Sequence, residues 1–262
     1  MEIRFEQNHS DSIVRIYSTP EYWQNWTRVQ QAGLWPEETV LIQAHCSGPD
    51  TEICNLGCGS GRETFALYRM GYRHVRGVDC TPAMLEVARR HAKDSGFDIR
   101  FDLAAADSLP YPPPTFDIVT LFENVYGHIT PQSARIRSLR EVHRVLKPGG
   151  RVLMMVTSIC HLWRCFLFIK LLEIVRLLYN PADMEPGDKK MRHRPRSKGS
   201  SPAEVARSHW FRVFDIPDEG RSAGLSMIQQ TTVAALPADP KGNSRTYHKQ
   251  GRLVYVLERP VK

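Results

Sequence analysis

The 262-residue sequence has six cysteines but no CxxC pair, and no cysteine–histidine spacing that would build a zinc site, so no metal is expected. Cys46, Cys54, Cys58, Cys80, Cys160 and Cys165 read instead as reduced thiols of a cytoplasmic protein. A long uncharged apolar run is also missing. The most apolar stretch, CHLWRCFLFIKLLEIVRLLY at 160–179, is interrupted by Arg164, Lys170, Glu173 and Arg176, so no membrane span is expected. The opening MEIRFEQNHSDSIVRIY carries acids early and lacks an apolar h-region, which argues against a signal peptide. There are no internal repeats, and acids are in deficit: 28 Asp and Glu against 35 Lys and Arg, for a net charge of +7. That balance is compatible with an anionic partner and equally with simple solubility. What is present is apolar mass: 42% hydrophobic residues, ample for one sizeable core.

Strand-like and helix-like segments alternate through the middle of the chain. Residues 18–45 read as two helical pieces, with starts at Thr19-Pro20 and Trp35-Pro36. Residues 52–56 read as a strand, 62–70 as a helix stopped near Gly71, and HVRGVD as a second strand ending at Asp79. The next helix is capped by Thr81, starts at Pro82, carries Met84, Leu85 and Ala88 on one face and stops at Gly96. FDIRFDLA and FDIVTLF supply two more strands. A helix follows with Ile136, Leu139, Val142 and Val145 at helical spacing, ended by Pro148-Gly149-Gly150, and then the strand RVLMMVT. This rhythm predicts a parallel sheet covered on both faces. After Thr157 the rhythm breaks into the apolar 160–179 and a Pro-, Gly- and charge-rich stretch at 180–203, read as a mobile linker. A helix near Ser222 and the strands LSMIQQTTV and RLVYVLE close the chain.

Between the first strand and its helix lies NLGCGSGR, with Gly57, Gly59 and Gly61 at alternate positions. Such a turn lets backbone approach a ligand closely and offers the free N–H groups of a helix start. A dinucleotide site wants GxGxxG, but Arg62 follows Gly61 and leaves the register GxGxG. Asp79, about 18 residues past Gly61, suits the ribose hydroxyls of either cofactor class. Asp107, just past the third strand, is placed to meet the amine of an adenine lying across the sheet edge.

The segments NLGCGSG, GVDCTPAMLEVAR, AADSLPYPPPTFDIV and LREVHRVLKPGGRVL, in this order, resemble the class I S-adenosylmethionine-dependent methyltransferases, in particular their type 11-like members. The resemblance covers residues 51–157. It implies an α/β, Rossmann-like, doubly wound seven-stranded sheet with the last strand antiparallel, N-terminal helices and a helical insertion after strand 5. Residues 1–50 would be a helical cap, 51–157 the cofactor core, 158–209 a helical lid with a basic linker, and 210–262 the rest of the same sheet. The cofactor would be S-adenosyl-L-methionine and the product S-adenosyl-L-homocysteine. By matching position, Gly57, Cys58, Gly59 and Gly61 would line its methionine part, Asp79 its ribose, Cys80 and Met84 its adenine, and Ala106, Asp107 and Ser108 the adenine edge. Asn55 stands where the family usually has an acid; its amide oxygen would accept from the cofactor ammonium.

The acceptor side is less stereotyped, because methyl transfer needs alignment and exclusion of water more than a fixed set of groups. Glu123 and Asn124, after the fourth strand, would face the methyl group. His128 is a candidate general base or a helix cap, and Tyr126 and Glu123 are further catalytic candidates. Tyr22, Trp23 and Trp26 either cover the site or pack on the core. Residues 160–179 read as a lid for an apolar acceptor, a buried helix or the surface of a homodimer. The basic KKMRHRPRSK at 189–198 is a solvated linker or an RNA contact. The leading expectation is a small organic, lipophilic acceptor; an RNA methyltransferase and a non-catalytic cofactor-binding homologue are the alternatives. The glycine register generates the first test. In titration calorimetry the protein should bind S-adenosylhomocysteine and give no heat with NAD; the reverse pattern would sink the reading.

Overall fold

The computed structural model describes residues 10–20, 30–159, 184–193, 204–233, 236 and 251–261. Residues 160–179 and the aromatics Tyr22, Trp23 and Trp26 lie outside them, as do 180–183 and 194–203 of the expected linker. The N-terminal helices are α1 (Ser10–Tyr17) and α2 (Pro36–His45). The alternating core follows as β1 (Ile53–Leu56), α3 (Arg62–Arg69), β2 (Val75–Asp79), α4 (Pro82–Asp94), β3 (Arg100–Leu103), β4 (Phe116–Leu121), the short α5 (Val125–His128), α6 (Gln132–Val145) and β5 (Leu146–Thr157). After it come β6 (Asp188–His193), β7 (Glu204–His209), α7 (Asp215–Ser222), β8 (Ser226–Thr232) and β9 (Arg252–Glu258).

Seven strands form one sheet in the order β3-β2-β1-β4-β5-β9-β8. The first five are parallel, and β9, last in the chain, runs antiparallel to both β5 and β8. All four residues of β1 are buried, as a central strand covered on both faces requires. One apolar cluster joins Val119, Leu139, Val142, Val145, Val152 and Tyr255 on one face. Another joins Leu41, Ile42, Ile53, Leu67, Leu153 and Val254 on the other. Both layers of the doubly wound fold are therefore filled.

Three details differ from the sequence reading. β5 begins at Leu146 rather than Arg151, because Gly149 N–H donates to the Arg259 carbonyl and Arg259 N–H to that of Gly150, extending the ladder through the glycines. Thr81 occupies the cap position of α4 but makes no side-chain capping bond; the Asp79 carboxylate accepts its N–H instead, at 2.8 Å. The described part of 158–209 is not helical. Asp188–His193, assigned above to a mobile linker, pairs along its whole length with Glu204–His209 as a two-stranded ribbon. Half of the basic run is thus strand, and Lys189 lies over the Trp210 ring at 5.7 Å.

Polar contacts fasten this ribbon and α7 to the core. Glu185, Asp188 and His209 lie together. His209 Nδ1–H donates to Asp188 at 2.7 Å, and Glu185 N–H to its other oxygen at 2.9 Å. Glu185 accepts from Gln132 N–H at 2.6 Å and from Arg135 at 3.2 Å. All four carboxylate oxygens already hold protein donors, so the trio reads as a clasp. Arg135, 1% exposed, also makes a bidentate pair with Glu219 of α7, and the Tyr126 hydroxyl donates to Glu219 at 2.7 Å. Tyr126 is fully buried and stacked on Phe211. Its hydroxyl is committed to a core carboxylate, which corrects the catalytic expectation for this residue.

The Arg135–Glu219 pair sets a stability prediction. Arg135→Met should cost about 3–5 kcal/mol, because Glu219 is left charged and buried. In urea denaturation the double variant Arg135→Met with Glu219→Met should regain most of that loss. Equal losses in both would show that packing, not charge, is responsible.

Candidate active site

Three glycines shape the turn after β1, each for a separate reason. Gly57 (φ 76°) faces the Val125 side chain so closely that any Cβ would collide with it. Gly61 (φ 94°) caps α3 in the left-handed region with its Cβ direction filled by the Phe65 ring. Gly59 (φ 52°) is different: a Cβ there would meet nothing within 4 Å. The turn therefore leaves a backbone cradle open at Gly59. Beside it stands Asp79 at the end of β2, whose carboxylate accepts N–H from Gly59 and from Thr81, each at 2.8 Å. Burial raises the Asp79 pKa, and these N–H groups oppose the rise. The Thr81 side chain and the Cys80 N–H oppose it too, so the carboxylate sits in a nest of donors. The loop after β3 is tied to the same place, since Ala104 N–H donates to the Asp79 carbonyl at 3.1 Å.

Ala106 lies half-buried against the core, while Asp107 and Ser108 are exposed and Asp107 pairs with Arg137 at 3.4 Å. Met84 is buried on α4, and Cys80 stands half-buried beside Asp79 with its thiol pushed up to about 12 by burial and by that carboxylate. The Cys58 side chain turns away from the cradle into a cluster with Phe65, Leu85 and Phe101, so only its backbone lines the turn. Asn55 is corrected more sharply. It is 2% exposed, donates to Thr64 Oγ1 at 2.9 Å and accepts from Thr120 Oγ1 at 3.1 Å. Its amide binds β1 to α3 and β4 and is not presented to a cofactor ammonium.

Past β4, Glu123 is the one non-glycine residue with positive φ among the described residues, at 51°. Such strain collects at functional positions. Its carboxylate accepts the Trp35 Nε1–H at 2.7 Å, pairs with Arg252 and lies 3.6 Å from Arg62. Asn124 accepts Thr157 N–H at 3.2 Å and donates to Ser208 at 2.7 Å, which joins the ends of β4 and β5 to β7. His128 sits where α1, α5 and β7 meet. Its Nδ1 is 3.4 Å from the Arg207 carbonyl and its Nε2 3.4 Å from the Tyr17 hydroxyl. Burial lowers the His128 pKa, favouring the neutral ring.

The sequence reading missed several neighbours. Tyr17 stands half-buried beside the site: desolvation, then the charges of Asp79, Cys80 and Glu123, raise its pKa. Arg62 donates to the Gly33 carbonyl at 2.7 Å, to both Glu38 oxygens at 2.7 and 2.9 Å, and to Glu63 at 2.6 Å. Burial raises Glu38 to about 8 against the pull of Arg62, and raises Glu63 as well. The only sequence signals were Glu38 three residues past the Trp35 helix start and the break in glycine register at Arg62.

Cradle and carboxylate generate a paired prediction. Gly59→Ala should fold, at a left-handed cost of about 1–2 kcal/mol, yet fill the cradle and abolish most S-adenosylhomocysteine binding. Asp79→Ala should weaken the same binding by about 1–3 kcal/mol. Calorimetry beside a thermal melt checks both; unchanged affinities would remove these residues from the site.

Comparison with known proteins agrees with this geometry. The family described as "Methyltransferase domain" matches residues 53–150. The demethylmenaquinone methyltransferase of Symbiobacterium thermophilum is 35% identical over 145 residues, 53% of this chain and 55% of that protein. That of Bacillus subtilis is 30% identical over 160 residues, 58% of this chain and 64% of that protein. The chain thus spans roughly half to two thirds of the length of these relatives. Among solved structures, a SAM-dependent methyltransferase from Methanosarcina mazei superimposes with a TM-score of 0.66 at 22% identity, over 88% of this chain and all of that one. A [4+2]-cyclase also shares the fold, with a TM-score of 0.56 at 17% identity over 86% of this chain and 80% of that one. Residues 53–150, which carry the glycine turn and strands β1 to β4 of the sheet, are thus the part of the chain that is similar to the methyltransferase domain family.

Proposed function

We propose that this chain is an S-adenosylmethionine-dependent methyltransferase whose acceptor is a small, lipophilic, quinone-type molecule. The open cradle at Gly59 beside the half-buried Asp79 carboxylate carries the cofactor half of this reading. When bound there, the cofactor supplies an electrophilic methyl on a sulfonium sulfur, and S-adenosylhomocysteine is what leaves. The backbone of Gly57, Cys58, Gly59 and Gly61 lines the methionine part, and Asp79 takes the ribose hydroxyls. Cys80, neutral at physiological pH, and Met84 lie toward the adenine, with Ala106, Asp107 and Ser108 along its edge. Asn55 supports the turn from beneath. Glu123 and Asn124 fix the strand end that faces the transferring methyl.

The acceptor class rests on two supports. Relatives that share the matched half are named for demethylmenaquinone or for ubiquinone and menaquinone C-methylation. Tyr17 of α1, His128 of α5 and the β7 backbone meet in one place, and a phenolic or enolic small molecule would suit these groups. The RNA alternative is the less favoured, since the relatives that share the matched half are named for quinone methylation. Among the described residues no helix is long and apolar enough to cross a membrane, which is compatible with a cytoplasmic enzyme that meets its lipophilic acceptor at a membrane face.

The test is transfer of an isotopically labelled methyl from the cofactor to a reduced 1,4-naphthoquinol bearing a short prenyl tail. A product heavier by one labelled methyl is expected by mass spectrometry. S-adenosylhomocysteine binding without transfer to any quinol would overturn the acceptor class; absence of binding would overturn the cofactor assignment.

A further inference from the structure

His128 is held in a defined hydrogen-bonding state. A backbone carbonyl can only accept, so the Nδ1 contact with the Arg207 carbonyl places the ring proton on Nδ1. Nε2 then carries the lone pair and accepts from the Tyr17 hydroxyl at 3.4 Å. The two rings meet edge to face, with centroids 6.0 Å apart. Tyr17 ends α1, which packs on β7, and its hydroxyl lies within the influence of Asp79, Cys80 and Glu123. It therefore lies between the strand ends of the cofactor half and His128. Among the described residues, the titratable groups recorded near the pair are Asp79 at the end of β2, Cys80 after it and Glu123 after β4, and the Arg207 carbonyl of β7 meets the ring.

We propose that the Tyr17 hydroxyl is a placeholder for an acidic O–H of the acceptor: a phenol or enol takes its seat on His128 Nε2 and is deprotonated there. Burial, which keeps the imidazole neutral, leaves the lone pair ready at physiological pH. His128 Nε2 takes the O–H proton, and the oxygen's electron pair conjugates into the acceptor. The nucleophilic oxygen or adjacent carbon forms a bond to the methyl while the methyl–sulfur bond breaks, its pair remaining on sulfur. Where carbon is methylated, the displaced ring proton leaves to water and the oxygen recovers its proton from His128; where oxygen is methylated, the proton held on His128 leaves to water. This step rests on the methyltransferase reading above. It adds that His128 is the catalytic base and Tyr17 the residue that masks it until an acceptor enters.

The masking claim has a readout that needs no turnover. In 15N-detected spectra of the S-adenosylhomocysteine-saturated protein, His128 should show a protonated Nδ1 and a bare Nε2. Tyr17→Phe keeps the ring but removes the donor to the neutral imidazole. It should raise the His128 pKa by about half a unit to one unit, the size one neutral hydrogen bond supports. An unchanged pKa, or the opposite tautomer, overturns the placeholder. With the prenylated naphthoquinol as probe, His128→Gln should lower kcat by about 10²–10⁴-fold with S-adenosylhomocysteine binding intact. Tyr17→Phe should lower the quinol KM, the change expected when one weak competing contact is lost, and a raised KM counts against the placeholder. Turnover that survives His128→Gln refutes the base but not the methyltransferase. Wild-type protein that methylates no quinol refutes the acceptor class, while the spectra still decide the placeholder.

Discussion

One buried guanidinium organises the floor of this site. Arg62 is 2% exposed, and a charge in that position persists only if every donor is engaged. Its partners come from three places: the Gly33 carbonyl before α2, Glu38 on α2, and Glu63 beside it on α3. Its plane also lies over the Trp35 ring at 4.9 Å, and Trp35 in turn donates to Glu123. Through this chain the N-terminal helix α2 is fixed to the glycine turn and to the end of β4. The cluster is acid-rich, with Glu37, Glu38, Glu63 and Glu123 facing Arg62 and Arg252. Burial pushes Glu38 and Glu63 above the usual carboxylate range, against the pull of the Arg62 guanidinium. The left-handed backbone of Glu123 belongs to the same balance. Its carboxylate reaches Trp35 and Arg252 from a strand end where most residues would turn away.

Much of the cofactor half was legible in the sequence because it is made of local features. A strand, a glycine turn and a helix are consecutive, and strand-end acids follow at regular intervals, so Gly57, Gly59, Gly61 and Asp79 could be placed from spacing. The sheet order then fixes which strand ends are neighbours. Errors came where a residue's role depends on a distant partner. Tyr126 looked catalytic beside His128, yet it answers to Glu219, 93 positions away. Asn55 looked like a ligand, yet Thr120 on the adjacent strand uses its oxygen. Arg62 was visible only as a break in a dinucleotide pattern; the burial that gives it meaning comes from α2.

The ribbon illustrates the same limit from the opposite direction. A stretch rich in proline, glycine and charge has the composition of a linker. Asp188–His193 nevertheless forms a strand, because Glu204–His209 returns alongside it and the Glu185, Asp188 and His209 contacts clasp its end against α6. Composition reports the average tendency of a segment. It carries no information about a partner strand ten residues away across a stretch of the same composition.

The two halves of the site therefore differ in how firmly the fold commits them. The cofactor half is written in backbone geometry, and backbone geometry is what distant relatives share. The acceptor half is written in side chains from α1, α5 and β7, elements that meet only in the tertiary structure. A [4+2]-cyclase with the same fold shows that this architecture does not by itself dictate a reaction. What discriminates is the group that faces the methyl position. On the proposed reading that group is His128, set between a tyrosine hydroxyl and a backbone carbonyl. Such a group removes a proton in the transition state and returns it afterwards without carrying a permanent charge into an apolar space. An acceptor with no ionisable hydrogen would gain nothing from it, so the chemistry of His128 narrows the acceptor more than the shape of the fold can.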